Sequence, residues 1–304
     1  MGKNALINLS NCEVESIRRW ENDINMPDLM CRYIDHYLCD KKDLGIFYKS
    51  NLSLTGIHSV ISTCHRIEII SVIENIGLPN FEIGGYTSKQ IYGIKNVCSR
   101  LAKIACGVDS VILGEPFVYD QVNNSFKYDK TDPLIFNTVK ISLDIAKKVK
   151  KKYSFYSQDD YSDIAIKFLG STTNVIIIGS GMLAKTLYDK LDNSLIISRN
   201  LKSARKKFER VSDIKNIPTK PFKCIIATTN TKKYQKFVTK ALKNSNCLLA
   251  VDLSSKPFLV QPNFEYITMY DKKFEDEVKI INAKLISKVN LVKNDIDKQV
   301  NKIF

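Results

Sequence analysis

A four-residue apolar run, Val175-Ile176-Ile177-Ile178, ends directly in Gly179-Ser180-Gly181-Met182-Leu183-Ala184, and a leucine stripe at Leu183, Leu187 and Leu191 follows. No other stretch restricts the fold as tightly. A strand that is apolar at every position is buried on both faces, as in a parallel sheet covered by helices. Leu195-Ile196-Ile197, Cys224-Ile225-Ile226-Ala227 and Leu248-Leu249-Ala250-Val251 repeat the pattern. Strand and helix alternate here, so this region reads as a Rossmann-type domain with a parallel sheet.

A G-x-G-x-x-A turn alone is a weak signal. Placed between a strand and a helix it acquires a physical meaning. The glycines permit a tight turn and let the backbone approach a pyrophosphate, while the helix N-terminus faces the negative charge. Gly179, Ser180, Gly181, Met182, Leu183 and Ala184 are therefore candidate cofactor-binding residues. About twenty residues on, NAD-binding folds place a carboxylate for the ribose hydroxyl. This chain has Ser198-Arg199-Asn200 there. Arginine suits a 2′-phosphate, so Ser198 and Arg199 point to NADPH in preference to NADH.

The second informative run is Val60-Ile61-Ser62-Thr63-Cys64-His65-Arg66-Ile67-Glu68-Ile69-Ile70. One apolar strand enters a polar joint and another leaves it, a place where a scaffold holds side chains rigidly. Arg66 and His65 stand close enough in sequence to favour a Cys64 thiolate, the reactive form of the residue. The ordinary alternative for a cysteine is a small buried apolar group.

The chain has 304 residues, 44% of them hydrophobic, enough for two cores. It contains no apolar run long enough to span a membrane and no signal-peptide layout, so a cytoplasmic protein with no membrane partner is expected. Its 8 cysteines include no C-x-x-C pair and only 3 histidines accompany them, which argues against a metal site and against disulfides. The formal net charge of +14 favours polyanions. Lys147, Lys148, Lys150, Lys151 and Lys152 form one cluster; Lys202, Arg205, Lys206, Lys207 and Arg210 form another. Without interleaved aromatics they suit backbone contact with a folded RNA better than base stacking.

Residues 1–152 mix strands with helices: a helix over 16–39 broken near Pro27, a strand pair over 56–73, a helix over 87–106, a shaped loop over 107–116 and a helix over 133–151. Residues 153–270 form the Rossmann-type domain. In 271–304 the apolar positions Phe274, Val278, Ile281, Leu285, Val289, Val292, Ile296, Val300 and Ile303 step by four, three and four. That stripe predicts a single, nearly straight helix of roughly 50 Å. The expected architecture is thus α/β: an N-terminal α+β catalytic domain, a Rossmann-type domain and a long C-terminal helix.

At these residues the chain resembles the glutamyl-tRNA reductases, which open the five-carbon route to tetrapyrroles. Ser62-Thr63-Cys64-His65-Arg66-Ile67-Glu68 is similar to their S-T-C-N-R-x-E motif. Ala105-Cys106-Gly107-Val108-Asp109-Ser110-Val111-Ile112-Leu113-Gly114-Glu115-Pro116-Phe117 and the following residues through Val122 resemble their A-S-G-L-D-S-x-x-L-G-E-P-Q segment. The resemblance implies Cys64 as the nucleophile that forms a glutamyl thioester. It implies Thr63, Arg66, Glu68, Ser110, Glu115, Pro116, Phe117 and Gln121 as the substrate pocket, with Arg66 for a carboxylate and Glu68 for an α-ammonium. NADPH would be the cofactor, glutamyl-tRNA the substrate, and the aminomutase that follows a further partner.

Three departures qualify that picture. Arg100 stands where the family has a histidine, and arginine cannot serve as a base at neutral pH. It can still hold a thiolate or polarise an ester carbonyl. His65 replaces an asparagine, and either takes over acid–base work or hydrogen-bonds locally. The family's C-terminal dimerisation domain has no counterpart after the long helix, so the helix mediates a homodimer by itself, or the protein is a monomer or a reduced form. Three functions follow: the reductase, with Cys64, His65 and Arg100 as its catalytic groups; a catalytically impaired relative that binds tRNA or a pathway partner; or an unrelated NADP oxidoreductase of a small metabolite with a structural Cys64, which leaves the 105–122 match unexplained.

Overall fold

Strand β3 (Arg66–Val72) is buried along its whole length, and the sheet around it explains why. β3 pairs antiparallel with β2 (His58–Ser62) on one side and β1 (Leu29–Asp35) on the other. After a two-strand hairpin, β4 (Glu82–Ile83) and β5 (Tyr86–Thr87), strand β6 (Lys89–Tyr92) completes the order β2-β3-β1-β6. The computed structural model describes residues 28–40, 43–44, 58–63, 65–73, 81–126, 131–228, 232–259 and 262–304. They divide into two units: the first holds the described residues up to Asp40, Phe47–Ser157 and Ala283–Phe304, the second Lys41–Ile46 and Gln158–Asn282.

β1 corrects the helix expected over 16–39. A short apolar run fits either period, and long-range pairing decides it. Here Cys31 pairs with Ile70, Tyr33 with Glu68 and Asp35 with Arg66. Residues before Asp28 lie outside the described ones. The helix expected from 87 likewise starts later, because 89–92 is taken up as the edge strand beside β1.

Helix α1 (Ile94–Cys106) buries Val97, Leu101 and Ile104 and ends at Gly107, whose φ of 78° is left-handed. A Cβ on Gly107 would lie 3.0 Å from Gly114 Cα, so the loop can double back only over a glycine. Helix α2 (Phe117–Ser125) packs on α1 and β2. Helix α3 (Pro133–Lys152) starts on Asp132, which accepts from the Leu134 N–H at 2.8 Å, with proline in its first turn. α1, α3 and the inner face of the sheet share one core, including Ile70, Leu101, Ile135, Ile145 and Phe155.

In the second unit α4 (Tyr161–Leu169) opens on an Asp160 capping box. Then follow β7 (Val175–Ile178), α5 (Met182–Lys190), β8 (Leu195–Ile197), α6 (Leu201–Ala204), β9 (Val211–Ser212), β10 (Phe222–Ile226), α7 (Lys232–Lys243), β11 (Cys247–Asp252), β12 (Glu265–Thr268) and α8 (Lys272–Ala283). The six strands are all parallel, in the order β9-β8-β7-β10-β11-β12. Counted within the unit this is 3-2-1-4-5-6, the dinucleotide-binding order, which reverses direction between β7 and β10.

The C-terminal apolar stripe is carried by two helices, where a single rod was expected. α8 ends at Ala283, a 3-10 turn spans Ile286–Lys288, and α9 covers Val289–Ile303. Phe274 packs in the second unit against the rings of Tyr161 and Phe168, at 6.1 and 5.9 Å. Leu285, Val292, Ile296 and Val300 enter the core of the first. One stripe therefore serves two cores, and the break falls where it passes from one to the other. Among the described residues no helix is long and apolar enough to cross a membrane.

Candidate functional site

The turn between β2 and β3 is closed by the Thr63 N–H, which donates to the Arg66 carbonyl at 3.0 Å. Cys64, the expected nucleophile, lies outside the described residues. Its neighbours are placed. The His65 N–H donates to Thr63 Oγ1 at 3.1 Å, and the buried His65 ring meets the His36 ring edge-on with centroids 6.2 Å apart. Arg66 is buried, and its Nη2 donates to the Asp109 carbonyl at 2.5 Å. That bond ties the strand joint to the 107–116 loop. The next residue, Ser110, is buried, and its hydroxyl has no hydrogen-bond partner among the described residues. A buried hydroxyl with no partner among the described residues calls for an explanation, and a bound ligand is one.

Glu68 and Arg100 are not independent pocket walls. Arg100 Nε donates to Glu68 Oε2 and its Nη2 to Glu68 Oε1, both at 2.7 Å, and Nη2 also reaches Asp35 Oδ2 at 2.9 Å. The guanidinium lies over the Tyr33 ring, 3.3 Å from its centroid. The Cys31 thiol donates to Glu68 Oε2 at 3.4 Å. Glu68 is 0% exposed, so its bonds are made away from solvent, whereas the Arg100 side chain is 15% exposed. Burial works against the Arg100 charge, but the Glu68 carboxylate more than offsets it and raises the pKa, so Arg100 stays charged. Cys31, Tyr33 and Asp35 escaped the sequence reading because their segment was taken for a helix. Their alternation along 31–35 was the signal that they share a face.

The other expected pocket residues sit further along the same loop. Lys150, buried at the end of α3 with its pKa lowered by burial, donates from Nζ to the Glu115 carbonyl at 3.0 Å. Pro116 is exposed at the head of α2, and Phe117 and Gln121 are half-buried along it. Helix α9 braces the loop: Lys293 Nζ pairs with Asp109 Oδ1 at 2.6 Å. Asp297 takes Lys103 at 2.7 Å and the Ser99 hydroxyl at 2.5 Å. A cleft of about 560 Å³ lies there, lined among others by Lys95, Arg100, Lys103, Asp109, Lys293 and Asp297.

In the second unit the glycine turn sits at the reversal point of the strand order. Gly179 has φ 141°, and a Cβ there would lie 2.1 Å from the Ala227 carbonyl oxygen at the end of β10. Gly181 caps α5, with nothing within 4 Å of where its Cβ would be; Met182 is exposed, Leu183 half-buried and Ala184 buried. The Ser180 and Ser198 hydroxyls are 3.1 Å apart. Arg199 is exposed at the end of β8, with its guanidinium carbon 4.4 Å from the Tyr234 ring centroid. These are donors of the kind a dinucleotide meets: backbone approach at the glycines, a helix N-terminus and an exposed guanidinium. Tyr234 was not anticipated, since it comes from α7, two strands away in sequence.

The described cysteines are poor nucleophiles. Cys31, Cys39, Cys98, Cys106, Cys224 and Cys247 are buried and in no disulfide. Burial pushes the thiols of Cys98, Cys106 and Cys247 up to about 12. A thiol at about 12 is ionised in on the order of 10⁻⁵ of molecules at pH 7. Iodoacetamide at neutral pH is therefore expected to spare these six in the folded protein. Peptide mapping that found any of the six labelled as fast as Cys64 would contradict the structure.

The fold and the motif geometry define a Rossmann-type unit joined to an α+β unit with a buried arginine–carboxylate cluster. Residues 48–153 match the family described as glutamyl-tRNAGlu reductase, N-terminal domain. Over 309 residues the chain is 29% identical to "Protein nfe2" of Rhizobium meliloti, covering 89% of this chain and 97% of that protein. It is 28% identical to a glutamyl-tRNA reductase of Thermosipho melanesiensis over 293 residues, covering 88% of this chain and 78% of that one. Among solved structures, glutamyl-tRNA reductase from Methanopyrus kandleri superposes with a TM-score of 0.45 at 14% identity, over 91% of this chain and 80% of that chain. The chain is therefore similar to glutamyl-tRNA reductases, through the family match over residues 48–153 and its divergent full-length relatives.

Proposed function

We propose that the protein is an oxidoreductase that reduces glutamyl-tRNA to glutamate-1-semialdehyde, with NADPH as reductant and release of the tRNA. The observation that supports it most is the bond from Arg66 to the Asp109 carbonyl. It draws the strand joint that holds Cys64 onto the loop that presents the open Ser110 hydroxyl.

Cys64, having released its proton to solvent, attacks the ester carbonyl as thiolate; the C–S bond forms, the C–O bond to the terminal ribose breaks, and the ribose oxygen leaves as an alcohol by taking a proton from solvent. Gly179, Ser180, Gly181 and Arg199 would hold a reduced nicotinamide dinucleotide, which would supply the hydride that turns the thioester into an aldehyde; the Cys64 thiolate is the leaving group. Arg66 offers a fixed cation for the side-chain carboxylate, and Ser110 a donor for the acyl group. Thr63 and His65 hold the turn through their mutual hydrogen bond. Glu115, Pro116, Phe117 and Gln121 carry the far wall of the pocket. The exposed lysines 147, 148, 151 and 152, with Lys202, Arg205, Lys206, Lys207 and Arg210, supply the field for the RNA backbone.

The test is NADPH oxidation with charged tRNA. Cys64→Ser is expected to lower the rate by on the order of 10³-fold or more, since the covalent route is lost. An unchanged rate excludes the thioester. Arg199→Gln is expected to raise the NADPH Kd about tenfold or more while leaving that for NADH within about twofold, measured by fluorescence titration. Equal effects on both cofactors would remove Arg199 from the 2′-phosphate.

A second reading, a tRNA- or partner-binding relative without turnover, draws on the Arg100–Glu68 pair. A histidine that could shuttle protons is replaced there by a permanently charged group locked to a buried carboxylate. Tight binding of glutamyl-tRNA with no NADPH oxidation would favour it. Dimerisation through α8 and α9, contact with the aminomutase and a cytoplasmic location belong to the same proposal; sedimentation of the purified protein tests the first of these.

A further inference from the structure

Arg199 is exposed, yet the residues around it fix where it stands. Its backbone is pinned on both sides. The Ser198 N–H donates to the Ser212 carbonyl at 3.1 Å, and the Ser198 hydroxyl lies 3.1 Å from that of Ser180 and accepts the Asn200 N–H at 3.2 Å. Asn200 Oδ1 caps α6 by accepting the Ser203 N–H at 3.0 Å. The side chain is directed as well, with its guanidinium carbon over the Tyr234 ring, 4.4 Å from the centroid. Tyr234 is 3% exposed and belongs to the core that holds Ile178 and Ile197. Phe258 meets its ring edge-on, with centroids 6.0 Å apart at 88°. Burial pushes the Tyr234 phenol up to about 12, so the ring is neutral at pH 7 and attracts the cation through its face. Asp213, whose charge also reaches Tyr234, accepts the Lys215 N–H at 2.9 Å and makes no ion pair with Arg199. Among the described residues no hydrogen bond engages the Arg199 N–H groups, which leaves them for an incoming anion.

We propose that Tyr234 is a positioning residue for cofactor selection: its ring holds the Arg199 guanidinium ready for a 2′-phosphate, and so favours a phosphorylated dinucleotide over an unphosphorylated one. This deepens the reductase reading and rests on the glycine turn being its cofactor site. An arginine free in solvent loses side-chain entropy when it closes on a phosphate. One already stacked on a fixed ring has lost part of it beforehand. An unphosphorylated cofactor offers that guanidinium no anion, so the gain falls on one cofactor alone. Lys202 and Arg205, exposed just beyond, lie over no ring among the described residues, so they add charge without a fixed position.

The experiment is fluorescence titration of NADPH and of NADH into the full chain, unmodified and as Tyr234→Leu, with circular dichroism to confirm folding. The leucine variant is expected to raise the NADPH Kd about fivefold and to leave the NADH Kd within about twofold. Tyr234→Phe keeps the ring and is expected to stay within about twofold for both. Combined with Arg199→Gln, Tyr234→Leu is expected to raise the NADPH Kd no further, because the two side chains act as one unit. A rise shared equally by both cofactors, or one that persists in full beside Arg199→Gln, marks Tyr234 as a packing residue and overturns the proposal. Tyr234→Met, judged by the same outcomes, takes the place of a leucine variant that does not fold. Unmodified protein that binds NADPH, with no change when the ring is removed, refutes the role of Tyr234 alone. Unmodified protein that binds neither cofactor refutes the cofactor site and this role with it.

Discussion

Replacing Arg100 with methionine should cost the first unit about 3–5 kcal/mol of stability, the range for breaking a buried ion pair by removing one partner. The magnitude follows from what is left behind. Glu68 would keep the Cys31 thiol at 3.4 Å and an Arg66 nitrogen at 4.0 Å, with no exposed surface for water to reach. Asp35, 5% exposed, would lose its guanidinium as well. The contact with Tyr33 adds a smaller cation–π contribution. Urea denaturation followed by circular dichroism measures the loss. The double variant Arg100→Met/Glu68→Gln should recover a large part of it, because no charge remains unpaired. A single variant that unfolds at the same urea concentration as the unmodified protein would show that the pair is not formed in solution.

The same cluster shows what a linear reading of residues can and cannot supply. The second unit was legible because its signals are local: four apolar strand residues, a glycine turn and a helix stripe all lie within 175–191. Its strand order could not be read that way, but parallel strands alternating with helices leave few arrangements. The hairpin around residues 62–66 was equally local. β1 was misread because Leu29–Asp35 is a short apolar stretch whose identity depends on β3, more than thirty positions away. Once β1 is a strand, Asp35, Tyr33 and Cys31 fall on the face of Glu68, and the isolated carboxylate becomes part of a network. Lys293 and Tyr234 were invisible for the same reason: their partners, Asp109 and Arg199, are reached only through the tertiary fold.

The C-terminal segment failed differently. Its stripe was counted correctly, and Phe274, Val278, Leu285, Val292, Ile296 and Val300 are all buried. Periodicity reports which face is apolar. It does not report that one face serves two cores, and the 3-10 turn at Ile286–Lys288 is where that difference appears.

Alanine at Gly179 should do more damage than any other single substitution in the cofactor turn. The new Cβ would sit 2.1 Å from the Ala227 oxygen and 2.8 Å from its carbonyl carbon. Neither backbone can retreat: the Gly179 N–H is bonded to Ile197 O at 3.0 Å, and the Ala227 N–H to Ile178 O at 2.9 Å. A φ of 141° adds strain that alanine does not relieve. Overpacking and backbone strain each cost about 1–3 kcal/mol, so Gly179→Ala should lower the thermal midpoint by several degrees or more and abolish measurable NADPH binding together. Gly181→Ala separates the two effects. Its φ of −80° suits any residue, and nothing lies within 4 Å of the added methyl, so stability should change by no more than about 0.5 kcal/mol. If a pyrophosphate passes over this turn, that same methyl stands in its path, and NADPH affinity should fall about tenfold or more in a protein that melts normally. Unchanged affinity in Gly181→Ala would mean that the open space above the helix N-terminus is not where a dinucleotide lies.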